Sequence, residues 1–179
     1  LYHCLQFLKD KKLKPFIVPA MGSHGGGSVE GQLNVLAKLG ITESTMQVPI
    51  HADMDVKNVG ALSSSTKIFL SQKALLADHI VVINRVKPHT KFRADIESGL
   101  CKMLTIGLGK NQGAAEFHRR AVHHTFEIIE EAAGIILAQG KILFGIALLE
   151  DGYGNLARIN VVSPSSLIER EKQLLNDAR

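Results

Sequence analysis

Apolar residues recur at helical spacing at the start of the chain. Leu1, Leu5 and Leu8 predict a first helix over Leu1–Leu13, which runs out in lysines. Phe16–Ala20 is a short apolar run and predicts a strand. Ser28 then stands at an N-cap position, ahead of a helix that continues to Leu39 and stops at Gly40. Met46–Ile50, Val56–Leu62 and Lys67–Leu70 predict short strands, and Ser71–Ala77 one or two helical turns. His79–Val86 (HIVVINRV) is β-branched and nearly continuous, the pattern of a strand buried on both faces. Ile96–Leu108 is apolar but interrupted by Gly99 and Gly107, which predicts a broken helix. Arg119–Gln139 carries Val122, Phe126, Ile129 and Ala133 on one stripe and predicts the most regular helix. Lys141–Glu150 and Leu156–Val162, joined by Asp151–Asn155, read as a hairpin, and a last helix starts at Pro164 or Ser165. This order predicts an α/β fold: a mostly parallel, Rossmann-like sheet flanked by helices, with a β-hairpin near the carboxyl end.

Composition narrows the class. A chain of 179 residues suits one domain with a real core, and 45% hydrophobic with 21% charged residues is ordinary for a globular protein. No run of about 18 apolar residues occurs, and the amphipathic start lacks the apolar core of a secretion signal. No membrane partner and a cytoplasmic location are therefore expected. The net charge of +4 is mild, and the one dense basic run, Lys9–Lys14, has no interleaved aromatics, which argues against nucleic acid as a partner. Cys4 and Cys101 are far apart with no CxxC pair, which argues against a disulfide framework or a zinc knuckle. The chain begins without Met and ends on a charged helix, EREKQLLNDAR, and reads as a piece of a longer protein.

Candidate chemistry concentrates in three places. Gly22-Ser23-His24-Gly25-Gly26-Gly27 follows the first expected strand, and Lys87-Pro88-His89 follows the strand at His79–Val86. In a parallel sheet both loops would open at the carboxyl edge, where such folds bind ligands, and two histidines there point to acid–base chemistry. His3, His51, His79, His123 and His124 sit in ordinary helix, turn or strand settings. His118 differs, since it lies between Glu116 and Arg119. Lys102 interrupts an apolar run, where a buried ammonium is costly unless paired or used. Ser98 and Gly99 just before it offer small residues and amides suited to a phosphate. The glycine spacing matches neither a Walker loop nor a dinucleotide fingerprint. The residues alone thus point to a metal or cofactor site built from His24, His89, Lys102 and His118, with a plain helix and glycine-flanked loop as the other reading of the 94–118 stretch.

The motifs PAMGSHGG, KPHT, ESGLCKM, IGLGK and a spaced FH run in order along nearly the whole chain. In them the chain resembles the amino-terminal domain of the nickel-dependent lactate racemase family. The resemblance implies a nickel pincer nucleotide, a pyridinium-3-thioamide-5-thiocarboxylic acid mononucleotide. It would be tethered to Lys102 beside Ser98 and Gly99, with His118 as the nickel ligand and His24 and His89 as the two acid–base groups. It implies racemisation or epimerisation of a small 2-hydroxy acid by proton-coupled hydride transfer. It also implies that residues 1–179 are a single α/β domain whose partner is a carboxyl-terminal domain of the same polypeptide. Lys110 is the alternative attachment point.

Two other classes compete. Three histidines, His24, His89 and His118, would suit a zinc-type hydrolase or lyase, which would not need Lys102. A non-catalytic small-molecule or cofactor-binding domain would use the histidines only as hydrogen-bonding groups.

Overall fold

Two prolines decide how the chain enters its first loop. Pro15 and Pro19 have no amide to donate, so the apolar run Phe16–Ala20 does not become the strand its hydrophobicity predicts. It makes one parallel bridge, Ile17 to Ile50, with the Ile17 amide donating to Pro49 O at 2.9 Å and the His51 amide to Ile17 O at 2.8 Å. The strand expected at Met46–Ile50 shrinks to the same bridge. Thr42 caps a short helix there instead, its hydroxyl accepting the Thr45 amide while the Thr45 hydroxyl accepts the Thr42 amide.

The structure is a computed structural model and describes residues 1–90, 93–121 and 128–179. Helix α1 is Tyr2–Asp10, and α2, Val29–Lys38, begins where Ser28 Oγ accepts the Gly31 amide at 3.1 Å. Helix α3 is Glu43–Met46. Strands β1, Val56–Ala61, and β2, Lys67–Ser71, form an antiparallel pair and lead into α4, Gln72–Leu76. Strand β3 is Ile80–Arg85. The broken helix appears as α5, Leu100–Lys102, running into a π-helical turn at Met103–Gly107. Helices α6, Lys110–Ala121, and α7, Ile128–Ala138, take up the described parts of the stretch expected as one helix from Arg119. Val122, His123, His124 and Phe126 lie outside the described residues, while Ile129 and Ala133 are buried as the stripe requires. The hairpin is β4, Ile142–Glu150, with β5, Leu156–Val162, followed by α8, Leu167–Asp177.

The fold is mixed α/β. Strands β3, β4 and β5 form one sheet in that order, with β3 and β4 parallel and β4 and β5 antiparallel, and β1–β2 form a second. The parallel character expected from the sequence rests on the β3–β4 pairing. Val82, Gly145, Ala147 and Val162 turn inward, joining Leu100, Ile129, Leu167 and Leu174 in the core. Alternation puts Val81, Ile83, Ile146, Ile159 and Val161 on the opposite face, which is half-buried to exposed. Only Val82 of β3 is buried, so β3 is not enclosed on both faces as its β-branched run predicts. Among the described residues no helix is long and apolar enough to cross a membrane.

Candidate functional site

After Ala20 the backbone turns left-handed at Gly22 and again at Gly25, Gly26 and Gly27. At Gly22 a β-carbon would also press on Ile106, so glycine answers both the dihedral and the close approach. The Gly22 amide donates to Gly107 O at 3.0 Å and holds the loop to the π-helical turn. His24 stands exposed at the crest of this loop, with Nδ1 donating to Met21 O at 2.9 Å. Its Nε2 has no hydrogen-bond partner among the described residues.

Lys102 ends α5 and is half-buried. Burial lowers its pKa, and the charge of Lys87 lowers it further. Lys87 is near because its backbone pairs with that of Ser98, through bonds of 2.8 and 3.3 Å. Lys102 has no ion pair among the described residues. Ile106, four positions on, lies on the same side of the helical segment and directly under Gly22.

Gly99, the small residue beside Lys102, lies against a carboxylate. Its φ of −172° is extended backbone open to any residue, but a β-carbon there would fall on the Glu171 carboxylate. Glu171 reaches in from α8 and accepts the Cys101 amide at 2.8 Å. Burial pushes the Glu171 carboxyl up to about 6 although amides donate to it, and burial together with Glu171 pushes the Cys101 thiol up.

His89 follows β3 and is held through its backbone. Its amide donates to Glu97 Oε2 at 2.5 Å, while the Ala94 amide and Arg179 Nη2 donate to Glu97 Oε1 at 2.9 and 2.8 Å. Burial of Glu97 alone would raise its pKa. The two amides and the guanidinium outweigh burial and hold the carboxyl below its usual range. A cleft of about 360 Å³ opens here, lined by Pro88, His89, Arg93, Glu97 and Arg179.

His118 is exposed on α6. On that helix the Asn111 side chain meets Gly27 and the Ala114 methyl meets Gly22. His118 lies four residues beyond Ala114 on the same side, a rise of about 6 Å. The glycine loop therefore rests on two supports, Ile106 and the Asn111–Ala114 face. Lys102 is one turn from the first and His118 one turn from the second, and Lys87 ties the start of the His89 loop to Ser98.

Among the described residues no three His, Cys, Asp or Glu side chains are placed to hold a metal ion. The three-histidine centre of a zinc-type hydrolase is thus not assembled there.

Sequence reasoning missed the most enclosed polar groups. Among the described residues Lys110, not Lys102, is the fully buried lysine, with Nζ donating to Pro19 O at 2.7 Å and to Gln32 Oε1 at 3.3 Å. Burial pushes it down to about 8 while Asp53 pulls the other way. Gln32, also fully buried, donates from Nε2 to Gly22 O at 3.0 Å. The signal in the sequence was a lysine closing the glycine motif IGLGK.

Helices on a small mixed sheet, with a left-handed glycine loop docked on a helix–π-turn–helix segment, define the fold class of this chain. It is the fold found in the structure of the lactate racemase apoprotein from Thermoanaerobacterium thermosaccharolyticum. The two match at a TM-score of 0.69 and 18% sequence identity, over 97% of this chain and 45% of that one. The chain thus spans less than half the length of that protein. No protein-family model matches the sequence, and no curated protein matches it at a significant level.

Proposed function

We propose that this domain carries a nickel pincer nucleotide on Lys102 and that the full-length protein racemises or epimerises a small 2-hydroxy acid. The observation that carries the reading is the setting of Lys102. It is a half-buried amine without an ion pair among the described residues, its pKa lowered, one helical turn from the support of the His24 loop. Lowering the pKa raises the neutral, nucleophilic fraction that a covalent tether requires. A fold shared with a lactate racemase apoprotein supports the same reading.

The residues fit the group in donor chemistry. Lys102 offers an amine, and His118 an imidazole with no hydrogen bond among the described residues, suited to nickel. Glu171 occupies the Cys101 amide, so the Ser98 hydroxyl and the Gly99 amide are the groups on offer to a phosphate at this point. When bound, the group supplies an electron-poor pyridinium ring that can accept hydride.

The chain's own residues handle the proton and the substrate. With Nδ1–H given to Met21 O, neutral His24 presents Nε2 as the base for the substrate hydroxyl. His89 takes the complementary role on the opposite face of the substrate. Arg179 is committed to Glu97, Ala94 O and Asn176, so Arg93 is the guanidinium on the cleft wall left for the substrate carboxylate.

The test is turnover of the full-length protein, made in a host able to synthesise the cofactor. One enantiomer of a C2-deuterated small 2-hydroxy acid is supplied. The reading expects interconversion of the enantiomers with the label retained, because the hydrogen never equilibrates with water. Loss of the label to solvent, or no interconversion across a panel of such acids, contradicts it.

A further inference from the structure

Lys110 and Gln32 are fully buried polar side chains that the chemistry above does not use. An ammonium removed from water is tolerated only with partners, and here the partners are informative. Lys110 Nζ donates to Pro19 O at 2.7 Å and to Gln32 Oε1 at 3.3 Å, and Gln32 Nε2 donates to Gly22 O at 3.0 Å. The two gripped carbonyls bracket Met21. The Met21 carbonyl, in turn, accepts His24 Nδ1–H at 2.9 Å. A linked path therefore runs from the first residue of α6 through the buried pair to the imidazole at the loop crest.

The path has no slack at either end. Lys110 itself sits in the left-handed region, φ +53°, as it turns from the π-helical segment into α6. The Gly22 amide is fixed to Gly107 O at 3.0 Å. With Pro19 O, Gly22 N and Gly22 O all bound, the peptide carrying the Met21 carbonyl has little freedom to rotate. A carbonyl only accepts, so its fixed position selects the His24 tautomer that has its proton on Nδ1.

We infer that Lys110 and Gln32 are positioning residues for His24. They hold the Met21 carbonyl so that the imidazole rests as the Nδ1–H tautomer with Nε2 bare toward the substrate. The inference rests on the reading of His24 as an acid–base group. A hydrophobic residue at position 110 would fill the space but leave Pro19 O and Gln32 Oε1 buried without donors. The backbone would then shift to find partners, and the Met21 carbonyl with it.

The experiment is long-range proton–nitrogen NMR on the full-length protein with ¹⁵N-labelled histidine, at a pH where His24 is neutral. A His24→Gln sample identifies the signal. Wild type should show a single Nδ1–H form at His24. Lys110→Met should convert it to a mixture of tautomers. Gln32→Glu should do the same while keeping an acceptor for Lys110, and so serves if Lys110→Met does not fold. An Nε2–H form in wild type overturns the inference, as does an unchanged Nδ1–H form in the folded variants. Both readouts are independent of turnover. A His24→Gln protein that keeps full turnover would instead overturn the acid–base reading, and with it the purpose of the clamp.

Discussion

The Glu97 carboxylate receives the backbone amide of His89 at 2.5 Å, so the candidate acid–base residue after β3 hangs from a buried charge eight positions further along. Arg179 neutralises that charge through Nη2 at 2.8 Å, and the Ala94 amide takes part of the remaining acceptor capacity. The loop is therefore held by charge-assisted hydrogen bonds, about twice as strong as neutral ones.

Glu97→Gln keeps an acceptor but loses the charge. At neutral pH it should cost about 2 kcal/mol of stability by urea denaturation. If His89 has the proposed acid–base role, turnover of the full-length protein should fall roughly 10- to 100-fold as His89 loses its position. The carboxyl is held below its ordinary range in the folded state, so its contribution is present above that range and is lost as pH falls through the folded value. Wild type and variant should accordingly converge in stability in acid. A gap that persists there would contradict the assignment.

Glu171 behaves with the opposite sign. Its carboxyl is raised from 4.5 to about 6, so between those values the folded state binds more protons than the unfolded one. Stability from this group therefore declines as pH rises through that window, and Glu171→Gln should flatten the decline in a denaturation series. Gly99→Ala should destabilise by about 1–3 kcal/mol, because the added methyl overlaps the Glu171 carboxylate. A neutral Gly99→Ala substitution would show that the α8 carboxylate is not seated there.

His118→Ala should strip nickel from protein isolated in a host that makes the cofactor, while leaving the mass of the lysine adduct unchanged. Metal analysis and intact mass on the same sample separate the two. Full nickel occupancy in the variant would remove His118 from the ligand role.

What could be read in the sequence was local. The bounds of β5, Leu156–Val162, were legible because the turn before it carries its own signal, with Asp151 Oδ1 accepting the Tyr153 and Asn155 amides at 2.9 Å each. The Ser28 cap was legible for the same reason. The run Phe16–Ala20 has the hydrophobicity of a strand but, flanked and interrupted by Pro15 and Pro19, lacks the amides a strand needs. Lys102 drew attention through its apolar neighbours in sequence, yet enclosure depends on what packs from elsewhere. It is Lys110, gripped by Pro19 and by Gln32, 91 and 78 positions away, that is wholly buried. Glu171, 70 residues from Cys101, has no local signature at all. The candidate site residues stood out by type and motif, whereas the groups that hold them are long-range and emerge only from packing.

Intact mass with peptide mapping reads a covalent nucleotide on Lys102 directly. Full-length protein from a host able to make the cofactor should be heavier by one pincer nucleotide, and the added mass should map to the peptide containing Lys102. Lys102→Ala should return the mass to that of the bare polypeptide. Unmodified wild-type protein from such a host, or an adduct that survives Lys102→Ala and maps to Lys110, would show that Lys102 is not the tether.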